Sequence, residues 1–219
     1  PSKERLSQLK AEFLRGINMQ RYKYLSSKDI EDIENKKSSY KKELKELKDC
    51  IVLVAVDAKS YQETAIDIVR FLINEQHVPG VYVTLNKPYE IVQRAFEKNG
   101  IDSRLIIFID ASSSFHEAKK VENCLYIGNP EKLSDISVAM DQAVKALKRE
   151  EKFLIFDSLN TLAIFNKPAT VARFVHFLTS KMREWKVKGV ILTLEKETEQ
   201  PLLDELTQFS DARIDIGGE

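Results

Sequence analysis

Five short runs dominated by apolar, largely β-branched residues constrain this chain more than any other feature: IVLVAV at 51–56, VYVTL at 81–85, LIIFI at 105–109, FLIFD at 153–157 and VILTL at 190–194. A strand with one wet face alternates polar and apolar residues, whereas these runs are almost continuously apolar and must be buried on both sides. The stretches between them carry helical periodicity. Helices are expected at 62–76, before the His77-Val78-Pro79-Gly80 turn, and at 88–98, before the stop at Asn99-Gly100. Further helices are expected at 134–149, 171–185 and 202–209. A short strand is expected at 124–128 and a closing strand at 213–216. Strands alternating with helices call for an α/β fold: a three-layer parallel sheet with helices on both faces.

The first 49 residues are different. They hold 13 Lys and Arg against 9 Asp and Glu, and no strand-like run. Leu6, Leu9, Phe13, Leu14 and Ile17 share one helical stripe, and Ile30, Ile33, Tyr40, Leu44 and Leu47 form a second seam in which Lys37 takes one position. The expected organisation is an N-terminal helical arm at 1–49, able to form a short coiled coil or to lie on its own domain, followed by an α/β domain at 50–219. Over the whole chain 34 basic residues balance 34 acidic ones, so no net field gathers nucleic acid or an anionic membrane. The 43% hydrophobic content argues against disorder. No apolar run approaches the roughly 18 residues of a membrane span, no secretory leader opens the sequence, and two cysteines make no disulfide framework. A soluble, cytoplasmic protein is the expectation.

In a parallel sheet, ligands gather outside the carboxyl ends of the strands, so residues 57–64, 86–89, 110–114, 157–160 and 195–197 are the places to look for chemistry. After the first strand, an eight-residue turn leading to a helix is the register of the phosphate-binding pattern G-x-x-x-x-G-K-[ST]. Asp57 stands at the first Gly, Gln62 at the second, Glu63 at the Lys, and Thr64 alone keeps its type. Glycines let backbone amides wrap phosphate oxygens and the lysine offsets their charge. Asp57 and Glu63 instead bring like charge to a triphosphate, and Lys59 is misplaced to compensate. FLIFD followed by Ser158 has the shape of the strand that holds magnesium in triphosphatases, although a strand-end Asp157 serves equally well to cap the amides of Ser158, Leu159 or Asn160.

FLIFDSLNTL at 153–162, RFVHFLTSKMREW at 173–185 and YVTLNKPYEIVQRAF at 82–96, taken in order, resemble the RecA-type domain of KaiC-like archaeal ATPases. The resemblance implies a strand order in which the strands near 212, 51, 190, 153, 81 and 105 lie side by side, with the first loop facing Asp157. It also implies that Asn86 and Lys87 stand where one or two glutamates of the family activate the attacking water. With the loop glycines, the lysine and the catalytic carboxylates replaced and the Asp157 position kept, neither ATP nor magnesium is expected as a cofactor.

Other chemistry fails on placement. His77, His116 and His176 have no sequence partners, Cys50 and Cys124 lie far apart, and Asp110 with Ser112, Ser113 and Ser114 lacks the context of a nucleophile turn. Trp185, Phe174 and Phe177 are expected in the core or an interface. The leading expectation is a non-catalytic, degenerate RecA-like protein that acts through protein partners: itself, or an active paralogue. The second is a sensory module whose crevice, lined by Tyr61, Asn86, Asp110, Ser112 and Asp157, takes a small molecule other than a triphosphate. The third is an atypical ATPase using Lys59 or Lys87.

Overall fold

The computed structural model describes residues 50–112 and 121–216. The expected N-terminal arm and His116 lie outside them. Seven strands form one sheet: β1 (Ile51–Val56), β2 (Gly80–Thr84), β3 (Ile106–Asp110), β4 (Cys124–Tyr126), β5 (Phe153–Asp157), β6 (Lys188–Leu194) and β7 (Ala212–Ile216). Their order across the sheet is β4-β3-β2-β5-β6-β1-β7, and every pairing is parallel. This is the order implied by the resemblance, with β4 added outside β3.

Among the described residues, six α-helices lie between the strands: α1 (Tyr61–Arg70), α2 (Tyr89–Lys98), α3 (Leu133–Ala146), α4 (Leu159–Phe165), α5 (Pro168–Glu184) and α6 (Gln200–Phe209). Side chains of a strand alternate between faces, and here each set meets a different layer. Leu53, Val81, Val83 and Ile109 join one core with Met140 of α3, Leu162 of α4, Val175 and Leu178 of α5, and Leu206 of α6. On the other face Tyr82 meets Phe96 of α2 edge-on at 5.1 Å, with Phe108 beside both. Each fully buried Ile or Phe of these cores contributes about 1.5–3 kcal/mol of transfer free energy. Gly80 opens β2 beneath the Phe153 ring, where a Cβ would lie 2.3 Å from ring carbons.

The structure corrects several sequence boundaries. α1 continues into a π-helical turn, Phe71–Glu75, and His77 takes a positive φ of 58° as the chain leaves it. α3 stops at Ala146, before the expected end near 149. α5 begins at Pro168, whose fixed φ suits a first helical turn. α4 was not anticipated: LNTLAIF folds as a helix directly after β5, with Leu159 and Leu162 in the core. Among the described residues no helix is long and apolar enough to cross a membrane.

Candidate functional site at the carboxyl ends of β1, β2 and β5

The β1–α1 connection is four residues, 57–60, so Gln62, Glu63 and Thr64 already lie in α1 rather than in an eight-residue turn. Asp57 is the reason. Its Oδ1 accepts hydrogen bonds from the amides of Lys59 (2.8 Å) and Ser60 (3.0 Å), and its Oδ2 accepts from the Ser60 hydroxyl (3.0 Å). An aspartate bonding its own backbone two and three residues on makes a compact turn that launches a helix. The loop amides therefore face a carboxylate of the chain itself. Thr64 is buried, its amide bonded to the Ser60 carbonyl at 2.9 Å in ordinary helical fashion. Lys59 is exposed on the turn.

Asp157 ends β5 at 5% exposure, and three side chains from elsewhere converge on it. Tyr61, first residue of α1, donates its hydroxyl to Oδ1 at 2.6 Å. Tyr82, in the middle of β2, donates to Oδ2 at 2.5 Å. Asn86, just past β2, adds its Nδ2 to Oδ1 at 3.2 Å. These partners replace the local capping of residues 158–160 that the sequence allowed. Ser158 instead shares a buried hydrogen bond with Thr161 at 2.9 Å, and the Asp157–Ser158 peptide is cis. Burial pushes the Asp157 carboxyl above the usual carboxylate range, opposed by the two phenols, the nearby Lys87 charge and Asn86. Burial likewise raises both phenols well above their ordinary value, and the carboxylate beside them adds to the rise.

Lys87 caps the rim, its Nζ 3.2 Å from Gln62 Oε1, while its backbone is tied to the Thr84 hydroxyl. Between α1 and α2 these groups leave a cavity of about 30 Å³ bordered by Tyr61, Tyr82, Asn86, Lys87 and Asp157. That volume accommodates roughly one water molecule.

Sequence reasoning placed Tyr61, Asn86 and Asp157 together, and the structure joins them. Asp110 and Ser112 belong elsewhere. Asp110 is fully buried, accepts the Tyr89 amide at 2.8 Å, and takes the Ser112 amide and hydroxyl at 2.8 and 2.9 Å. It thus anchors the start of α2 and the turn after β3, away from the crevice. Tyr82 was missed. Its signal was a phenol in the middle of a strand buried on both faces, since a buried hydroxyl there has to find a partner.

The remaining candidates stand apart. His176 is exposed on α5 with its ring 4.9 Å from Phe209. Cys50 and Cys124 are buried, and burial pushes the Cys124 thiol up to about 12. Among the described residues no group of three or more His, Cys, Asp or Glu could hold a metal ion. Phe174 is buried and Phe177 exposed, whereas Trp185 is half-buried and donates its Nε1–H to Asp141 at 3.2 Å.

Comparison with known proteins adds a family and a fold. Residues 50–216 match the model of a family of unknown function, DUF7504. No curated protein matches. Among solved structures, the chain is similar to the KaiC-like protein PH0186 of the hyperthermophilic archaeon Pyrococcus horikoshii OT3, with 16% identity and a TM-score of 0.56. That match covers 77% of this chain and 72% of the other, and its low identity speaks to fold alone.

Proposed function

Because the chain belongs to the DUF7504 family, its matched residues 50–216 folded as a KaiC-like, RecA-like domain, we propose that it is a non-catalytic member of that fold class, a regulatory or scaffolding protein working through protein contacts. The observation that carries this is the sealing of Asp157: both carboxyl oxygens are occupied by hydrogen-bond donors of the chain, two of them tyrosine hydroxyls. In a working triphosphatase the equivalent carboxylate must reach a hydrated magnesium ion. A cation approaching here would have to displace phenols that point their protons at the same oxygens. The donor set does not suit magnesium triphosphate for a second reason, since the amides of Lys59 and Ser60 already serve the Asp57 carboxylate.

A small-molecule sensor ranks second at this location, because a cavity of about 30 Å³ holds water rather than a metabolite. Isothermal titration with Mg-ATP, coupled to a phosphate-release assay, is the test. The expected result is neither micromolar binding nor turnover. Micromolar binding with turnover that disappears in Asp157→Ala would overturn the proposal, and its dependence on Lys59 or Lys87 would identify the replacement cation.

A further inference from the structure

Between Asp157 and Glu184 the sequence contains no acidic residue at all, although Asp and Glu number 34 of 219 residues overall. That 26-residue stretch, 158–183, is α4 and nearly all of α5. It carries Lys167, Arg173, Lys181 and Arg183. The last two are balanced from outside the stretch, Lys181 by Glu184 at 2.7 Å and Arg183 by Asp211 at 2.8 Å. Lys167 and Arg173 are exposed, and among the described residues neither has a carboxylate partner.

The same two helices bear three of the large apolar side chains that the fold leaves in solvent. Ile164 is 74% exposed, Phe165 46% and Phe177 41%. Ile164 and Phe165 end α4, Pro168 begins α5 three residues after Phe165, and the helices pack on one another. Phe177 follows Arg173 by four residues and so shares its helical face. The Phe177 ring lies tilted against Phe174, centroids 6.5 Å apart, and Phe174 in turn packs on Phe156 of β5 at 5.8 Å. A rigid support therefore presents the exposed ring.

We infer that the α4–α5 face is a docking surface for an acidic, amphipathic segment of another protein. Its apolar residues would seat in contact with Ile164, Phe165 and Phe177, and its carboxylates would meet Lys167 and Arg173. Charge decides the occupant. A second copy docking through the same face sets cation against cation. The chain's own first 49 residues are net basic as a whole, and their one acidic run, 29–34, is hemmed in by Lys28, Lys36 and Lys37, which cancel most of its charge. A segment combining Asp or Glu with apolar residues at helical spacing answers both halves of the surface.

The inference deepens the interaction role proposed above by naming where a partner binds, and it is tested without nucleotide. Turnover of Mg-ATP would end the non-catalytic reading while leaving this surface intact. A displayed library of random helical peptides is selected against the full chain and against two double variants, Ile164→Ser/Phe177→Ser and Lys167→Glu/Arg173→Glu. All four positions are exposed, and unchanged melting temperatures verify that the variants fold. Expected are winners enriched in Asp and Glu interleaved with Leu, Ile or Phe, with at least tenfold weaker binding to either variant and marked weakening at high salt. Winners without acidic enrichment, or winners indifferent to both variants, overturn the inference. So does an absence of winners. Binding to phosphatidylglycerol vesicles that Ile164→Ser/Phe177→Ser abolishes would assign the face to a membrane instead. Concentration-dependent dimerisation lost in that variant would assign it to a second copy.

Discussion

Asp110 and Asp157 end the two strands flanking β2, both stand opposite Thr84 in the sheet register, and both are buried. Their partners differ in kind. Among the donors described, Asp110 takes the amide of Tyr89 and the amide and hydroxyl of Ser112, from the helix start and the loop nearby. Among the described residues the Asp157 carboxyl is served by side chains, drawn from positions 71 to 96 residues away in sequence. Backbone donors come with the fold whatever the side chains are, so Asp110 reads as architecture. A carboxyl held by Tyr61, Tyr82 and Asn86 depends on three particular side chains. Burial of Asp157 is therefore a property of this sequence more than of the sheet.

Three measurements break or sharpen that contrast. The largest effect is expected at the architectural site. Asp110→Ala leaves two inward-facing amides without their acceptor and should cost about 4 kcal/mol in denaturant unfolding, with loss of order at the start of α2. A cost below that of the Tyr82 variant would reverse the ranking. Tyr82→Phe comes next, since it keeps the ring packed on Phe96 and removes one donor to Asp157. A loss of about 2 kcal/mol, or about 5 °C in Tm, is expected by calorimetry.

The smallest effect concerns pH. A carboxyl whose folded pKa lies above its unfolded value binds extra protons when folded, so its contribution to stability is complete below the unfolded value and is lost as pH rises through the folded one. The stability of the wild type relative to Asp157→Asn should accordingly fall as pH climbs above the ordinary carboxylate range. A difference that grows with pH would mean that the hydroxyls and Lys87 outweigh burial.

The strand runs made the fold class legible because continuous apolar segments leave few alternatives to a covered parallel sheet. The strand order follows from the resemblance carried by FLIFDSLNTL and its neighbours, and the sheet topology agrees with it. α4 escaped notice for a physical reason: LNTLAIF is seven residues long, follows a Ser158 that makes no capping bond, and is apolar enough to pass for the tail of β5. The site was half legible. Asp157, Tyr61 and Asn86 sit at strand or helix ends, where ligands are sought. Tyr82 sits inside VYVTL, and no local pattern reveals that its hydroxyl reaches across to the neighbouring strand. Asp57 lies in the turn after β1, and its hold on the amides of Lys59 and Ser60 depends on a side-chain rotamer that sequence does not specify.

The three-sided grip on Asp157 also bears on evolutionary history. Any path of single substitutions from this arrangement toward an open carboxylate passes first through chains in which a sequestered acid has lost one of its hydrogen bonds. Each such intermediate is less stable than its parent and gains nothing until the last obstruction is gone. A latch of this construction resists stepwise opening, because each donor removed costs folding stability before it frees the carboxylate.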